Sequence, residues 1–172
     1  RTWNSSIPTN PSVTYTVSYD ANGGVGAPGA QTAKGGSTIN LQAQYPSRTG
    51  YTFKGWDKSF DDVKSDLDVN AKFDINTYTV IFLVDGVEVD RQTVEYGQSA
   101  SSPADPEKEG YTFAGWSPVV PGNMPANDVE VVAQWTINQY TLTFKNGDQV
   151  VSSEEVDYNS VIKYPQLTNK GY

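Results

Sequence analysis

The sequence predicts a mainly β protein (α+β at most), built from tandem small units of about four strands, each with a short helix or irregular crossover. Three observations point there. Nearly the same seven residues, GYTFKGW and GYTFAGW, stand at 50–56 and 110–116. A Tyr-Thr-Val/Leu run recurs at Tyr15, Tyr78 and Tyr140. An alternating run closes each full copy, LDVNAKF at 67–73 and VEVVAQW at 129–135. Self-similarity at a fixed period is the mark of a repeat architecture. It divides the chain into a linker (1–14), repeat 1 (15–75), repeat 2 (77–137) and a truncated repeat 3 (139–172). In the third copy the GYTF.GW stretch survives only as Gly171-Tyr172. The chain opens on RTWNSSIPTNPS and reads as a piece of a longer polypeptide.

Within a repeat the first run alternates with period two. Tyr15, Val17 and Tyr19 share one face, as do Tyr78, Val80 and Phe82, and Tyr140, Leu142 and Phe144. Such a run of aromatic and β-branched residues predicts a half-buried strand. The turns that follow hold Asp20-Ala21-Asn22-Gly23-Gly24, Asp85-Gly86 and Asn146-Gly147. Asn-Gly and Asp-Gly favour tight hairpins, because both central residues of a type I′ turn need positive φ. The second strand carries Ala33, Val94 and Val156 in register and ends at Gly36, Gly97 and Asn159. Gly and Asn enter the left-handed region most cheaply, so positive φ is expected at all three. Gly35 stands where Tyr96 and Tyr158 supply a ring.

The connection to the third strand contains Pro46 in repeat 1, and Pro103 and Pro106 in repeat 2. Prolines there argue against a long helix. In the third strand strict alternation would leave Trp56 on the face opposite Tyr51 and Phe53. A β-bulge at Gly55 would turn it back, and Gly115 would do the same for Trp116. The fourth strand places Leu67, Val69, Ala71 and Phe73 on one face, then Val129, Val131, Ala133 and Trp135 in the next copy. The short joints from Phe73 to Tyr78 and from Trp135 to Tyr140 hold neither Gly nor Pro. They predict stiff, end-to-end connection of consecutive repeats. A unit of this size is marginal alone, so the repeated aromatics are expected to be hidden core.

These residues, in this order, resemble the Listeria–Bacteroides repeat, the internalin B-repeat family. They are Tyr-Thr-Val, Asp-x-Asn-Gly-Gly, a Tyr-Gly or Gly-Gly pair, a Pro shortly before Gly-Tyr-Thr-Phe-x-Gly-Trp, and Ala-x-(Trp/Phe). The resemblance covers residues 14–172 and departs at Leu83-Val84-Asp85-Gly86, where Asn-Gly-Gly is absent. It implies a β-grasp-like unit. It also implies tandem arrays in secreted or wall-anchored bacterial surface proteins, where the repeats serve as spacers or interaction modules.

Composition removes several function classes. There is no Cys and no His, so disulfides, thiol catalysis, His acid–base chemistry and the common zinc sites are out. The net charge of −8 and the lack of a basic stripe speak against nucleic acid. No apolar run in this fragment is long enough to insert in a membrane. Carboxylates are the only catalytic candidates. Repeat 1 has no Glu, whereas repeat 2 has Glu88, Glu95, Glu107, Glu109 and Glu130. None recurs as the spaced pair that a glycosidase needs. For calcium, Asp61, Asp62, Asp66 and Asp68 are matched only by Asn127, Asp128 and Glu130, so a solvated acidic loop is expected there. No Lys recurs for an isopeptide link, since Lys54 becomes Ala114 and Lys72 becomes Gln134. No catalytic, cofactor-binding or metal-binding residue is therefore expected, and no cofactor.

Surface charge does not repeat. Six basic side chains face seven acidic ones in 15–75, two face nine in 77–137, and three face four in 139–172. The copies share a core pattern without sharing a surface. Together with what the resemblance implies, this points to a non-enzymatic stalk or spacer of an adhesin-like protein, extracellular at the bacterial surface or secreted. Its partners would be neighbouring repeats and other domains of the same polypeptide. The alternative is a module that binds host protein or glycan through exposed aromatics or a free strand edge.

Overall fold

The computed structural model describes residues 12–40 and 44–165. Gly171-Tyr172 and most of the expected linker lie outside the described residues. Among the described residues ten strands follow in chain order: β1 (Thr14–Asp20), β2 (Gln31–Lys34), β3 (Tyr51–Trp56), β4 (Leu67–Ile75), β5 (Thr77–Val84), β6 (Val87–Glu95), β7 (Tyr111–Ser117), β8 (Val129–Ile137), β9 (Gln139–Asn146) and β10 (Gln149–Asp157). They form a four-stranded sheet of order β2-β1-β4-β3, a second of order β6-β5-β8-β7, and a β9–β10 hairpin. Among the described residues there is no helix. The described residues thus form an all-strand tandem β-repeat.

The central pair in each sheet is parallel. Val17 lies beside Leu67 and Tyr19 beside Val69, while Val80 lies beside Val129 and Phe82 beside Val131. A parallel pair needs a long return connection, usually a helix. Here the segment after the second strand zips onto the segment before the fourth. Gly36 N–H donates to Val63 O (2.8 Å) and Val63 N–H to Ser37 O (3.2 Å). Gly97 N–H donates to Met124 O (2.9 Å) and Met124 N–H to Gln98 O (2.7 Å). These amides and carbonyls are paired without helical bonds, which suits the prolines of the crossover. Positive φ at Gly36, Gly97 and Asn159, 81°, 78° and 57°, agrees with expectation.

Both bulges form. Ladder register shifts between Phe53 and Gly55, and again between Phe113 and Gly115. The glycines have φ of +119° and +114°. Each bulge returns its indole to the Phe face, with ring centroids 5.5 Å apart for Phe53–Trp56 and 5.4 Å for Phe113–Trp116.

The turns depart from expectation in two places. Asp85-Gly86 is the expected two-residue turn, with φ of 49° and 82°. In repeat 1 Asn22-Gly23 makes the expected tight turn, with φ of 48° and 82° and Gly24 N–H donating to Ala21 O (2.9 Å), but it opens a long loop between β1 and β2 and not a hairpin. Asn22 Nδ2 donates to Ala71 O (2.9 Å), and Val25 pairs with Ser47 on the crossover. Those partners pull the chain out of a tight hairpin. In the third hairpin Asn146 is still paired, opposite Gln149, so the turn is Gly147-Asp148. Gly147 takes the positive φ (60°) and Asp148 does not, the pattern of a type II′ turn with Gly first.

The chain divides into two compact units. The first runs as far as Tyr78 and adds Thr93–Ser99 and Asn123–Asn127; the second holds Thr79–Gln92, Ala100–Gly122 and Asp128 onward. In the first, Val17, Ala33, Ile39, Val63 and Val69 form a buried cluster, with Tyr15, Tyr19, Trp56, Phe60 and Leu67 packed against it. In the second, Val80, Phe82, Val131 and Ala133 are buried. The innermost layer is largely aliphatic. Tyr51, Phe53, Trp56, Tyr111, Phe113 and Trp116 are half-buried, so the expectation of hidden rings is corrected: they form a shell over the aliphatic centre.

Candidate functional site

The duplicated motif builds an aromatic shell in each unit. Trp56 meets Tyr19 edge-on at 5.2 Å and Phe53 at 5.5 Å, and Phe53 meets Phe73 at 5.8 Å. Trp116 meets Phe82 at 5.1 Å and Phe113 at 5.4 Å, and Phe113 meets Trp135 at 5.7 Å. Edge-to-face packing of this kind stabilises by about 0.5–1.5 kcal/mol per pair beyond area burial. The Nε1 atoms of Trp56, Trp116 and Trp135 and the hydroxyl of Tyr19 are buried without a protein partner. The indoles thus turn their polar edge inward, where it is not presented to solvent. Burial also pushes the Tyr19 phenol above its ordinary range.

The acidic residues are dispersed into separate tasks. Asp66 Oδ1 accepts from Thr16 N–H, and Asp128 Oδ1 from Thr79 N–H, both at 2.8 Å. Each carboxylate fixes the entry of a central strand. Asp68 accepts from the Ser18 hydroxyl, Asp61 from the Ser59 hydroxyl, and Asp62 pairs with Lys64. Asp66 and Asp68 thus tie the loop at 61–68 to β1, while its acidic side chains stay exposed. Among the described residues no three His, Cys, Asp or Glu groups converge as metal ligands. Asp57 is held below the usual carboxylate range, chiefly by the Asn70 side chain and then its backbone amide. Glu88 is lowered by the Arg91 fork. Of the other Glu candidates, Glu109 lies beside the Tyr158 phenol, and Glu95, Glu107 and Glu130 are exposed.

One constellation occurs twice in atomic detail. In the first unit Asn76 N–H donates to Gly50 O (2.9 Å), Tyr96 N–H donates to Asn76 O (2.9 Å), and the Thr52 hydroxyl donates to Asn76 Oδ1 (2.6 Å). In the second, Asn138 N–H donates to Gly110 O (2.8 Å), Tyr158 N–H donates to Asn138 O (2.8 Å), and Thr112 donates to Asn138 Oδ1 (2.6 Å). Rings and cations follow. Tyr51 meets Tyr96 edge-on at 6.0 Å, and Tyr111 meets Tyr158 at 6.2 Å. Arg48 sits over Tyr51 at 3.9 Å and Lys108 over Tyr111 at 4.9 Å. Desolvation, and then the Glu109 carboxylate, raise the Tyr158 phenol. Sequence reasoning missed Asn76, Asn138, Arg48, Lys108, Asp66 and Asp128 as structural groups. Their signal was present: like residues at like offsets from Gly-Tyr-Thr-Phe or from the strand starts.

The profile of the Listeria-Bacteroides repeat domain matches residues 15–76 and 78–134. Internalin H of Listeria monocytogenes is similar at 31% identity over 163 residues, covering 78% of this chain and 28% of that protein. A protein of Evansella cellulosilytica that bears the name of a membrane protein is 33% identical over 178 residues, covering 91% of this chain and 26% of that one. The chain thus spans roughly a quarter of the length of these relatives. Among solved structures, tandem SHIRT domains 3–4 of a streptococcal cell surface protein share 19% identity, with 72% of this chain and 98% of theirs covered and a TM-score of 0.31.

Proposed function

The chain belongs to the Listeria-Bacteroides repeat family, and on that premise we propose that it is a tandem-repeat spacer of an adhesin-like bacterial protein, secreted or held at the cell surface. It carries other domains of the same polypeptide away from the cell and catalyses nothing. One observation carries this: what recurs between copies is packing, strand caps and joints, while the balance of surface charge differs from copy to copy. Val17 and Val80, Val69 and Val131, and Asp66 and Asp128 occupy matching places. Glu107 and Glu109 have no acidic counterpart among the matching residues of repeat 1. A ligand bound by every copy would need a shared surface. The surface location is supported by the family and by the membrane-protein name of one relative. Among the described residues no helix is long and apolar enough to cross a bilayer.

A single feature favours a binding module instead. A hollow of about 420 Å³ is lined by Phe113, Trp116, Val119 and Val120. Its valines stand where repeat 1 has Ser59 and Phe60, so the hollow would serve one copy only.

The test is a swap in the parent protein. Residues 15–137 are exchanged for an unrelated rigid repeat pair of equal span. Ligand binding by the flanking domains is expected to survive at its original strength. Loss of that binding, with display on the cell unchanged, would overturn the spacer function and make the hollow the next target.

A further inference from the structure

Gly50 and Gly110 head the duplicated motif, and each lies under a tyrosine. A Cβ built on Gly50 would overlap ring carbons Cγ, Cδ1 and Cδ2 of Tyr96, and one on Gly110 would overlap Cγ, Cδ1 and Cε1 of Tyr158. Both glycines are buried and have positive φ, 78° and 75°. Two independent reasons therefore require Gly: the backbone conformation, and a ring laid flat on the Cα. In each case the tyrosine comes from the repeat that follows in sequence.

The tyrosine is not needed to fold its own repeat. Repeat 1 has Gly35 at the matching place, yet β1 and β2 pair, from Thr14 opposite Lys34 to Val17 opposite Gln31. The following turn also closes as in repeat 2, with Ser37 N–H donating to Lys34 O (3.0 Å) and Gln98 N–H to Glu95 O (3.0 Å). The ring at 96 and 158 thus has a task outside its own hairpin.

We propose that the Gly-Tyr-Thr head of each repeat is a docking seat for the tyrosine of the next repeat, clamped by the joint asparagine, and that this ring-on-glycine lock keeps the joint stiff. The partner is chemically defined: a β-hairpin of the same repeat type with Tyr one residue before its closing Gly or Asn. Tyr96-Gly97 and Tyr158-Asn159 fit; Gly35-Gly36 does not. The clamp is complete in both instances, with Asn76 or Asn138 bonded to the seat glycine on one side and to the tyrosine amide on the other. The lock deepens the spacer function and rests on it for its purpose, although its geometry stands without it.

The absence of cysteine permits a clean test on the whole chain. Spin labels are placed on exposed Ala30 and Ala104, each changed to Cys. The width of their distance distribution is measured for the parent, Tyr96→Phe, Tyr96→Ala and Gly50→Val. Parent and Tyr96→Phe are expected to give one narrow distribution. Tyr96→Ala and Gly50→Val are expected to broaden it roughly twofold, since small interfaces otherwise leave neighbouring domains free to move. Circular dichroism of Tyr96→Ala, which adds no backbone strain, confirms that the strands persist. An unchanged width in Tyr96→Ala would overturn the lock. So would a parent distribution already as broad as that of the variants. Neither outcome bears on the parent-protein swap, so lock and spacer fail separately.

Discussion

Phe82→Ala is expected to lower the stability of the second unit by about 3–5 kcal/mol, the usual cost of truncating a buried aromatic ring. Phe82 is fully buried in β5, and its ring meets Trp116 edge-on at 5.1 Å. The substitution removes transfer free energy, opens a cavity and takes away the surface against which Trp116 rests. A repeat of this size has a total stability of about 5 kcal/mol or a little more, so most of the second unit should be unfolded well below the parent midpoint. Urea unfolding followed by tryptophan fluorescence measures it. A loss under about 1 kcal/mol, within reach of an ordinary surface change, would mean that β5 does not anchor this core.

Gly115→Val is expected to cost about 2–4 kcal/mol, through the backbone and not through crowding. Nothing lies within 4 Å of a Cβ placed on Gly115, but its φ is +114°. A β-branched residue resists that conformation, and the chain escapes by pairing straight through the bulge. Trp116 would then swing to the face opposite Phe113 and lose both ring partners. Thermal unfolding should fall sharply and native tryptophan emission should shift to the red. Gly122→Ala is the control, since it has no close neighbour and no positive φ. Equal midpoints for the two variants would remove the bulge from the account.

Much of one repeat was legible because its constraints are local. Gly55 and Gly115 announce the bulge by placing a large ring one residue out of phase. Gly36, Gly97 and Asn159 announce left-handed backbone by being the residue types that tolerate it. What escaped depends on partners distant in the chain. The DANGG stretch reads as a hairpin until Ser47 captures Val25 and Ala71 captures Asn22. The turn at Gly147-Asp148 slips by one residue because Asn146 prefers its pairing with Gln149. Asp66 and Asp128 look like solvated acids in sequence, since the amides they hold lie 50 and 49 residues away. The seat at Gly50 was hidden for the same reason: nothing near residue 50 names Tyr96. Even the aromatic shell was only half legible. Period two assigns a ring to a face but does not say that aliphatic Val17, Val69, Val80 and Val131 will take the centre.

The central claim is that the duplicated rings serve the fold and are not held out for a ligand. Hydrogen exchange at the indole N–H of Trp56, Trp116 and Trp135, read residue by residue by NMR in the unliganded protein, tests it most directly. All three Nε1 atoms are buried without a protein acceptor, so strong protection, released only when the unit unfolds, is expected. Exchange at the rate of free tryptophan in the native protein would show the indoles open to solvent and contradict the account.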